Sequence, residues 1–305
     1  MDALFNVYKP SGPTSHDVVA RLRRASGVQR VGHAGTLDPL AEGVLLVAAG
    51  QATRVIEYLA MLDKTYEAQV TFGVQTDTDD AEGAVVATNL TDRLDKATVE
   101  QALGSFRGQV QQRPPDYSAI SVGGQRLYQL ARRGAAVEAP VRQVEITRLE
   151  LRDWQPPVAT LLVECSKGTY VRSLARDLGA SLGCGAHLSR LVRTRVGAFG
   201  AAGAVPLAAM EDALRSGDWR RHGIGPDAAL AHLPALCLGE LDASRLAHGR
   251  TVADRWSTPP ATDEQLSQTI ARAYGPDGRF VAIVRRVVEE GRMVWRPQKV
   301  FAGPA

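Results

Sequence analysis

The chain has 305 residues, 45% of them hydrophobic, with a net charge of +3 and three cysteines. That length allows a substantial buried core and predicts about two domains, while the longest apolar run, Val44 to Ala49, is far too short to cross a bilayer and no basic-then-apolar leader opens the chain. Cys165, Cys184 and Cys237 are odd in number, widely separated and without a C-x-x-C pair, which argues against a disulfide framework or a zinc site and for a soluble cytoplasmic protein.

Thr14-Ser15-His16-Asp17 fits a capping box, and Val18, Val19, Leu22 and Ala25 then recur at helical spacing until Gly27, which predicts a first helix carrying Arg21, Arg23 and Arg24. Gly32, Gly35 and Pro39 precede the apolar run Val44-Leu45-Leu46-Val47, so a glycine-rich loop feeds a buried strand. From Thr65 to Phe72 the pattern alternates, with Tyr66, Ala68, Val70 and Phe72 on the buried face of a strand. The acidic run from Asp77 to Gly83 places its glycine one position late for a calcium loop and lacks the spacing to a bidentate Glu; it is expected to be a solvated loop. An amphipathic helix is predicted over Thr91 to Phe106, then a long excursion from Pro114 to Gly134 rich in Gly, Arg and Tyr. The strand Thr160 to Cys165 leads through Lys167-Gly168-Thr169 into a helix whose stripe is Val171, Leu174, Ala175, Leu178 and Leu182, with Arg172 and Arg176 one turn apart. Beyond Pro234 short strand-like pieces alternate with turn signals, which predicts a second, β-rich domain over 234–305 after a first over 1–233 that carries an insertion at about 112–145.

Charge is unevenly distributed along this order. Asp63 to Glu100 holds three Lys/Arg against nine Asp/Glu, a net of −6, whereas Arg107 to Arg195 holds fourteen against seven, a net of +7. One basic and one acidic face are expected, and clustered Arg suits a phosphate-tracking surface. Phosphate-loop, G-x-S-x-G and G-x-G-x-x-G signatures are absent, as is the H-x-E with P-C-x-x-C pattern of zinc deaminases. Nucleotide cofactors, serine hydrolysis and metal-assisted deamination are therefore unsupported.

The string Gly32-His33-Ala34-Gly35-Thr36-Leu37-Asp38-Pro39 would by itself read as a turn. Together with Tyr8-Lys9-Pro10-Ser11-Gly12-Pro13-Thr14-Ser15, Lys64-Thr65-Tyr66, Pro114-Pro115-Asp116-Tyr117-Ser118-Ala119 and Ser166-Lys167-Gly168-Thr169-Tyr170-Val171-Arg172, it resembles the TruB family of tRNA pseudouridine synthases. Tyr8 and Glu42 depart from that family's pattern, which has an acidic or amide residue at the first position and a small one at the second.

The resemblance implies an α+β pseudouridine synthase fold, with a mixed, largely antiparallel central sheet flanked by helices and loops, followed by a small PUA-like β-barrel. It implies isomerisation of uridine 55 in the TΨC arm of tRNA, without cofactor or metal, since no atom or electron is gained. Asp38 is the implied catalytic carboxylate: nucleophile on ribose or base, or base abstracting a sugar proton. Arg172 is its implied partner through a bidentate contact, and Tyr66 stacks on the extruded base and is a candidate for the final proton removal. Tyr170 and Leu191 line the implied base pocket, and His33 is the implied wedge filling the space left by the flipped uridine, whose unstacking costs about a few kcal/mol. Arg126, Arg132 and Arg133 belong to the implied clamp on the arm. The expected partner is tRNA, with the β-barrel reaching toward the acceptor end; a monomer with no obligatory protein partner and no membrane is expected. A tRNA-folding chaperone with secondary modification activity and a guide-RNA-dependent synthase are the alternatives.

Overall fold

The computed structural model describes residues 1–117, 121–122, 125–126, 140–255 and 269–301, with 121–122 and 125–126 as backbone alone. Its largest layer is a ten-stranded sheet. The spine runs in the order β14 (Val205–Pro206), β1 (Ala3–Lys9), β3 (Glu42–Ala49), β12 (Ala186–Val196), β4 (Lys64–Phe72), β11 (Val158–Cys165), β10 (Arg142–Gln155) and β7 (Gly108–Gln112); β2 (Val31–His33) pairs with β3 and β13 (Phe199–Gly200) with β12. Only β1 with β14 and β3 with β12 pair in parallel, so the sheet is mixed and largely antiparallel, as expected.

The alternation in β4 does what period-two patterning requires: Tyr66, Ala68, Val70 and Phe72 are buried while Glu67 is exposed. One face of the sheet packs on the helix Ser15–Ser26, through Val18, Val19 and Leu22, and on the helix Val171–Ser181, through Leu174, Ala175 and Leu178. Burying each such side chain stabilises the fold by roughly 1.5–3 kcal/mol. The predicted capping box is present: Thr14 accepts from the Asp17 N–H while the Asp17 carboxylate accepts from Thr14. The amphipathic segment expected over 91–106 is shorter than its pattern, a helix only over Lys96–Leu103 followed by a 3₁₀ turn, because Asp95 supplies the cap to Thr98 N and so fixes the start.

A five-stranded sheet of order β15 (Ala235–Cys237), β17 (Ile270–Tyr274), β18 (Phe280–Glu289), β19 (Arg292–Val300) and β16 (Val252–Ala253) forms the C-terminal layer. It is joined to the large sheet by an apolar cluster in which Ile283 packs with Leu4, Val55, Tyr58 and Leu59. Arg54 donates to the Val300 carbonyl and stacks over Phe301, and Lys299 pairs with Glu57 at 2.8 Å.

Candidate active site

The loop between β2 and β3 carries Asp38, and three buried polar side chains hold it. Ser15, at the first turn of its helix, donates to the Leu37 carbonyl at 3.0 Å and accepts from the Leu37 N–H at 2.8 Å. Lys9, fully buried at the end of β1, donates to the carbonyls of Pro10, Pro39 and Ala41 at 3.0, 3.2 and 2.6 Å. Burial pushes its ammonium down to about 8. Arg193, 1% exposed on β12, donates from Nε to Val44 O and from its two terminal nitrogens to Thr36 O and Gly35 O. Two glycines make this closure possible. Gly43 has φ +102°, and a Cβ there would lie 2.2 Å from the Arg193 carbonyl oxygen; Gly35, at φ +99°, turns its carbonyl toward the same guanidinium.

Asp38 faces a cleft of about 260 Å³ lined also by Tyr66, Tyr170, Leu191, Arg172, Lys64 and Arg193. The sequence-derived residues Asp38, Tyr66, Arg172, Tyr170 and Leu191 are thus brought together from four separate segments, Tyr170 and Arg172 sharing the start of one helix. Arg172 Nε lies 3.0 Å from Asp38 Oδ2, with the arginine side chain 5% exposed and the aspartate 37%. The expected bidentate contact is not formed. Nε is not aligned on the carboxylate, and the other nitrogens are spent elsewhere, donating to Thr78 O and Tyr117 O at 3.0 Å each, with Asp80 Oδ2 3.6 Å from Nη1. A guanidinium divided among four partners cannot also present its parallel fork to one of them.

The acidic run is not the solvated loop expected from its composition. Asp80 is 4% exposed and accepts from Thr78 Oγ1 and from the Glu82 N–H, and Asp79 pairs with Arg176 at 2.9 Å. The reason lies across the cleft: Arg172 and Arg176, one turn apart on the helix, need buried counter-charges, and this loop supplies them. The same contact revises the expected division into an acidic and a basic face, since part of the two charge excesses is neutralised internally.

Tyr66 is buried, and desolvation raises its phenol above the ordinary value while the neighbouring Arg193 pulls the other way. It stays a neutral ring at physiological pH, suited to stacking. The Tyr170 backbone is held by the Gln112 side chain, which accepts from its N–H at 2.7 Å and donates to its carbonyl at 3.0 Å. His33 is not among the residues lining the cleft; it packs edge-on against His16 at 5.3 Å between ring centroids, and its Nδ1 is buried without an aligned partner. Burial first, then His16 and Arg193, push its imidazole down to about 4, so the ring is neutral. Arg126 is described by backbone alone, in a two-residue strand paired with Ser121–Val122; Arg132 and Arg133, with Ser118 and Ala119, lie outside the described residues. Tyr8 and Glu42 touch each other, Tyr8 donating to Glu42 Oε2 at 3.4 Å.

Sequence reasoning gave no site role to Asp79 and Asp80, read only as part of the acidic run, to Lys64, named only within a motif, or to Gln112 and Arg193. The one usable signal was charge segregation: a segment of net −6 followed by one of +7 invites pairing between them.

Family models match most of the first three quarters of the chain: "TruB family pseudouridylate synthase (N terminal domain)" over residues 23–171 and "tRNA pseudouridylate synthase B C-terminal domain" over 172–229. The tRNA pseudouridine synthase B of Symbiobacterium thermophilum is 50% identical over 258 residues, 84% of each chain. That of Dehalococcoides mccartyi is 41% identical over 302 residues, 99% of this chain and 97% of the relative. Among solved structures, a Cbf5–Nop10–Gar1 complex contains a chain with TM-score 0.76 at 25% identity, covering 99% of this chain and 85% of that one. A chain of an H/ACA RNP bound to a substrate RNA gives 0.75 at 23%, with coverage of 99% and 86%.

Proposed function

This chain belongs to the TruB family of pseudouridylate synthases and isomerises a uridine of tRNA to pseudouridine; on that premise we propose that its target is uridine 55 of the TΨC arm and that Asp38 carries the chemistry. The observation that supports this best is the half-exposed Asp38 carboxylate, facing a base-sized cleft and contacted by a single, unaligned guanidinium nitrogen. An oxygen so placed is charged yet uncommitted, and can attack or accept a proton.

A target uridine inside a folded loop must leave its stack to reach Asp38. In the cleft its base stacks on Tyr66 against Leu191 and Tyr170. The C1′–N1 bond breaks, the uracil turns, C5 joins C1′, and the proton lost from C5 is matched by one gained at N1. Asp38 serves either on the ribose or base as nucleophile or on the sugar as base; Arg172 orients it, and Asp80 and the Thr78 and Tyr117 carbonyls keep Arg172 in place. His33, neutral and at the β2 end of the same loop, is the wedge.

The insertion that leaves through β7 and returns through β10 pairs Gln112 with Arg142 at its base, beside Tyr170, and Arg126, Arg132 and Arg133 belong to it. It is the clamp on the T-arm, its arginines contacting phosphates and shape more than base edges. Residues 1–233 form the catalytic domain and 234–305 the PUA-like RNA-binding one. The protein is a cytoplasmic monomer acting on tRNA without an obligatory partner; no described helix is long and apolar enough to cross a membrane. The guide-dependent alternative is favoured by the likeness to a chain solved with Nop10 and Gar1. Activity of the isolated chain on a bare T-arm stem-loop excludes it, and inactivity there would support it.

The central test is Asp38→Asn, which keeps shape and removes charge. Product formation should fall by at least about 10⁴-fold, with RNA affinity preserved. Appreciable product from that variant would refute the role of Asp38. Rescue of cell growth by the inactive variant would favour the chaperone reading.

A further inference from the structure

The cleft that receives a neutral base is lined by one carboxylate, Asp38, and three cations, Arg172, Lys64 and Arg193. Arg172 is matched by Asp38 and Asp80. The other two are not matched: among the described residues neither Lys64, 7% exposed, nor Arg193, 1% exposed, forms an ion pair. Lys64 Nζ donates to the carbonyls of Ala60 at 2.6 Å and of Leu62, which leaves one of its three N–H groups uncommitted. A Cβ on Gly35 would sit 3.8 Å from an Arg193 terminal nitrogen and 4.0 Å from Lys64 Cε, so the two cations converge behind the Asp38 loop, next to Tyr66.

Burying two unpaired cations is costly, and a neutral uracil gains little from them. The base is neutral only at the start. When C1′–N1 breaks, the bonding electron pair leaves with N1, and the detached uracil carries a negative charge over N1, O2 and O4. That charge disappears again when C5 bonds to C1′ and its proton is lost, with N1 protonated. A fixed cation in a dry cleft acts on such a transient charge far more than on the substrate.

We propose that Lys64, backed by Arg193, is a further catalytic residue that stabilises the uracil anion as it departs from C1′. The inference rests on reading the cleft as the place where the glycosidic bond breaks. Arg193 acts through the loop carbonyls it binds and through the field it adds to that of Lys64. The groups facing Lys64 are Arg193 from β12, Cys165 from β11, Lys167 beyond it and Asp63 beside it; burial and Arg193 push the Lys64 ammonium down to about 8, and Cys165, pushed up to about 11 by burial, stays a neutral thiol.

Single-turnover rates on a T-arm stem-loop test this, with Lys64→Met and Lys64→Arg measured on uridine and on 5-fluorouridine at the target, reading loss of the starting nucleoside. Removing one such charge should slow uridine cleavage by about 10²-fold with RNA affinity nearly unchanged, and Lys64→Arg should restore most of it. Fluorine makes the departing base a weaker base that needs less help, so the deficit of Lys64→Met should shrink several-fold on 5-fluorouridine. Equal deficits on both substrates, a deficit that follows RNA affinity, or a near-wild-type rate for Lys64→Met would each overturn the proposal. If Lys64→Met does not fold, the pH profile decides: the wild-type rate falls as pH rises through about 8, where Lys64 and Lys9 both lose a proton, and Lys64→Arg should keep only the shallower fall due to Lys9. A fall in Lys64→Arg as steep as in the wild type would also overturn the proposal. An inactive Asp38→Asn beside a fully active Lys64→Met would leave the cleft assignment standing and remove this inference alone.

Discussion

Two aspartate–arginine pairs in this molecule are built differently. In the C-terminal sheet, Asp254 and Arg286 are 1% and 8% exposed, Arg286 Nε donates to Oδ2 at 2.6 Å, and Trp295 Nε1 donates to Oδ1 at 3.1 Å. Both carboxylate oxygens are occupied and water is excluded. In the cleft, Arg172 Nε lies 3.0 Å from Asp38 without alignment, and the aspartate side chain is 37% exposed. The first pair satisfies its charges and has no chemistry left to do. The second leaves an anionic oxygen incompletely satisfied, which is what a reacting group requires, and its loop is held rigid by Ser15, Lys9 and Arg193 rather than by bonds to the carboxylate itself.

Single changes at each pair separate these designs. Arg172→Lys keeps the charge but cannot span Asp38, Thr78 O, Tyr117 O and Asp80 together, so the single-turnover rate should fall by about 10²–10³-fold. A rate near wild type would mean that the shared guanidinium is only scaffolding. Asp254→Ala should act on stability instead, lowering unfolding free energy by about 3–5 kcal/mol because Arg286 is left buried and unpaired. Denaturant midpoints read that loss, and the rate of the folded variant should stay unchanged; a drop as deep as that of Arg172→Lys would erase the distinction.

His33 gives a smaller, pH-dependent effect on the cleft side. Its imidazole titrates near 4 when folded and near the ordinary 6.5 when unfolded, so on acidification the unfolded chain takes up the proton first. Stability contributed here is complete above pH 6.5 and is lost as pH falls toward 4. His33→Asn should flatten that part of the stability profile, by on the order of 1–3 kcal/mol. Smallest of all, Glu289→Gln removes an exposed pair with Arg296 on β19 and should shift stability by no more than about 1 kcal/mol.

Much of the fold was legible because local rules were sufficient. The capping box before Ser15–Ser26, the alternation of β4 and the stripe of the Val171–Ser181 helix each encode an element within a dozen residues. The candidate site was legible only through five ordered motifs, since Asp38 in a glycine-rich loop has the local signature of a turn. The acidic run from Asp77 to Gly83 shows where such reading stops. Its composition matches a solvated loop, and only the facing Arg172 and Arg176, nearly a hundred residues later, make it a buried counter-charge.

The sequence by itself determined which segments are helix and strand and nominated candidates for the chemistry, because periodicity, caps and motifs are short-range properties of the chain. Tertiary structure alone decided how the charges are shared: that Arg172 gives Asp38 one unaligned nitrogen, that Asp80 takes another, and that Lys64 and Arg193 stand without carboxylates beside Tyr66. Electrostatic partnership depends on distance and desolvation in space, and neither quantity is written in residue order.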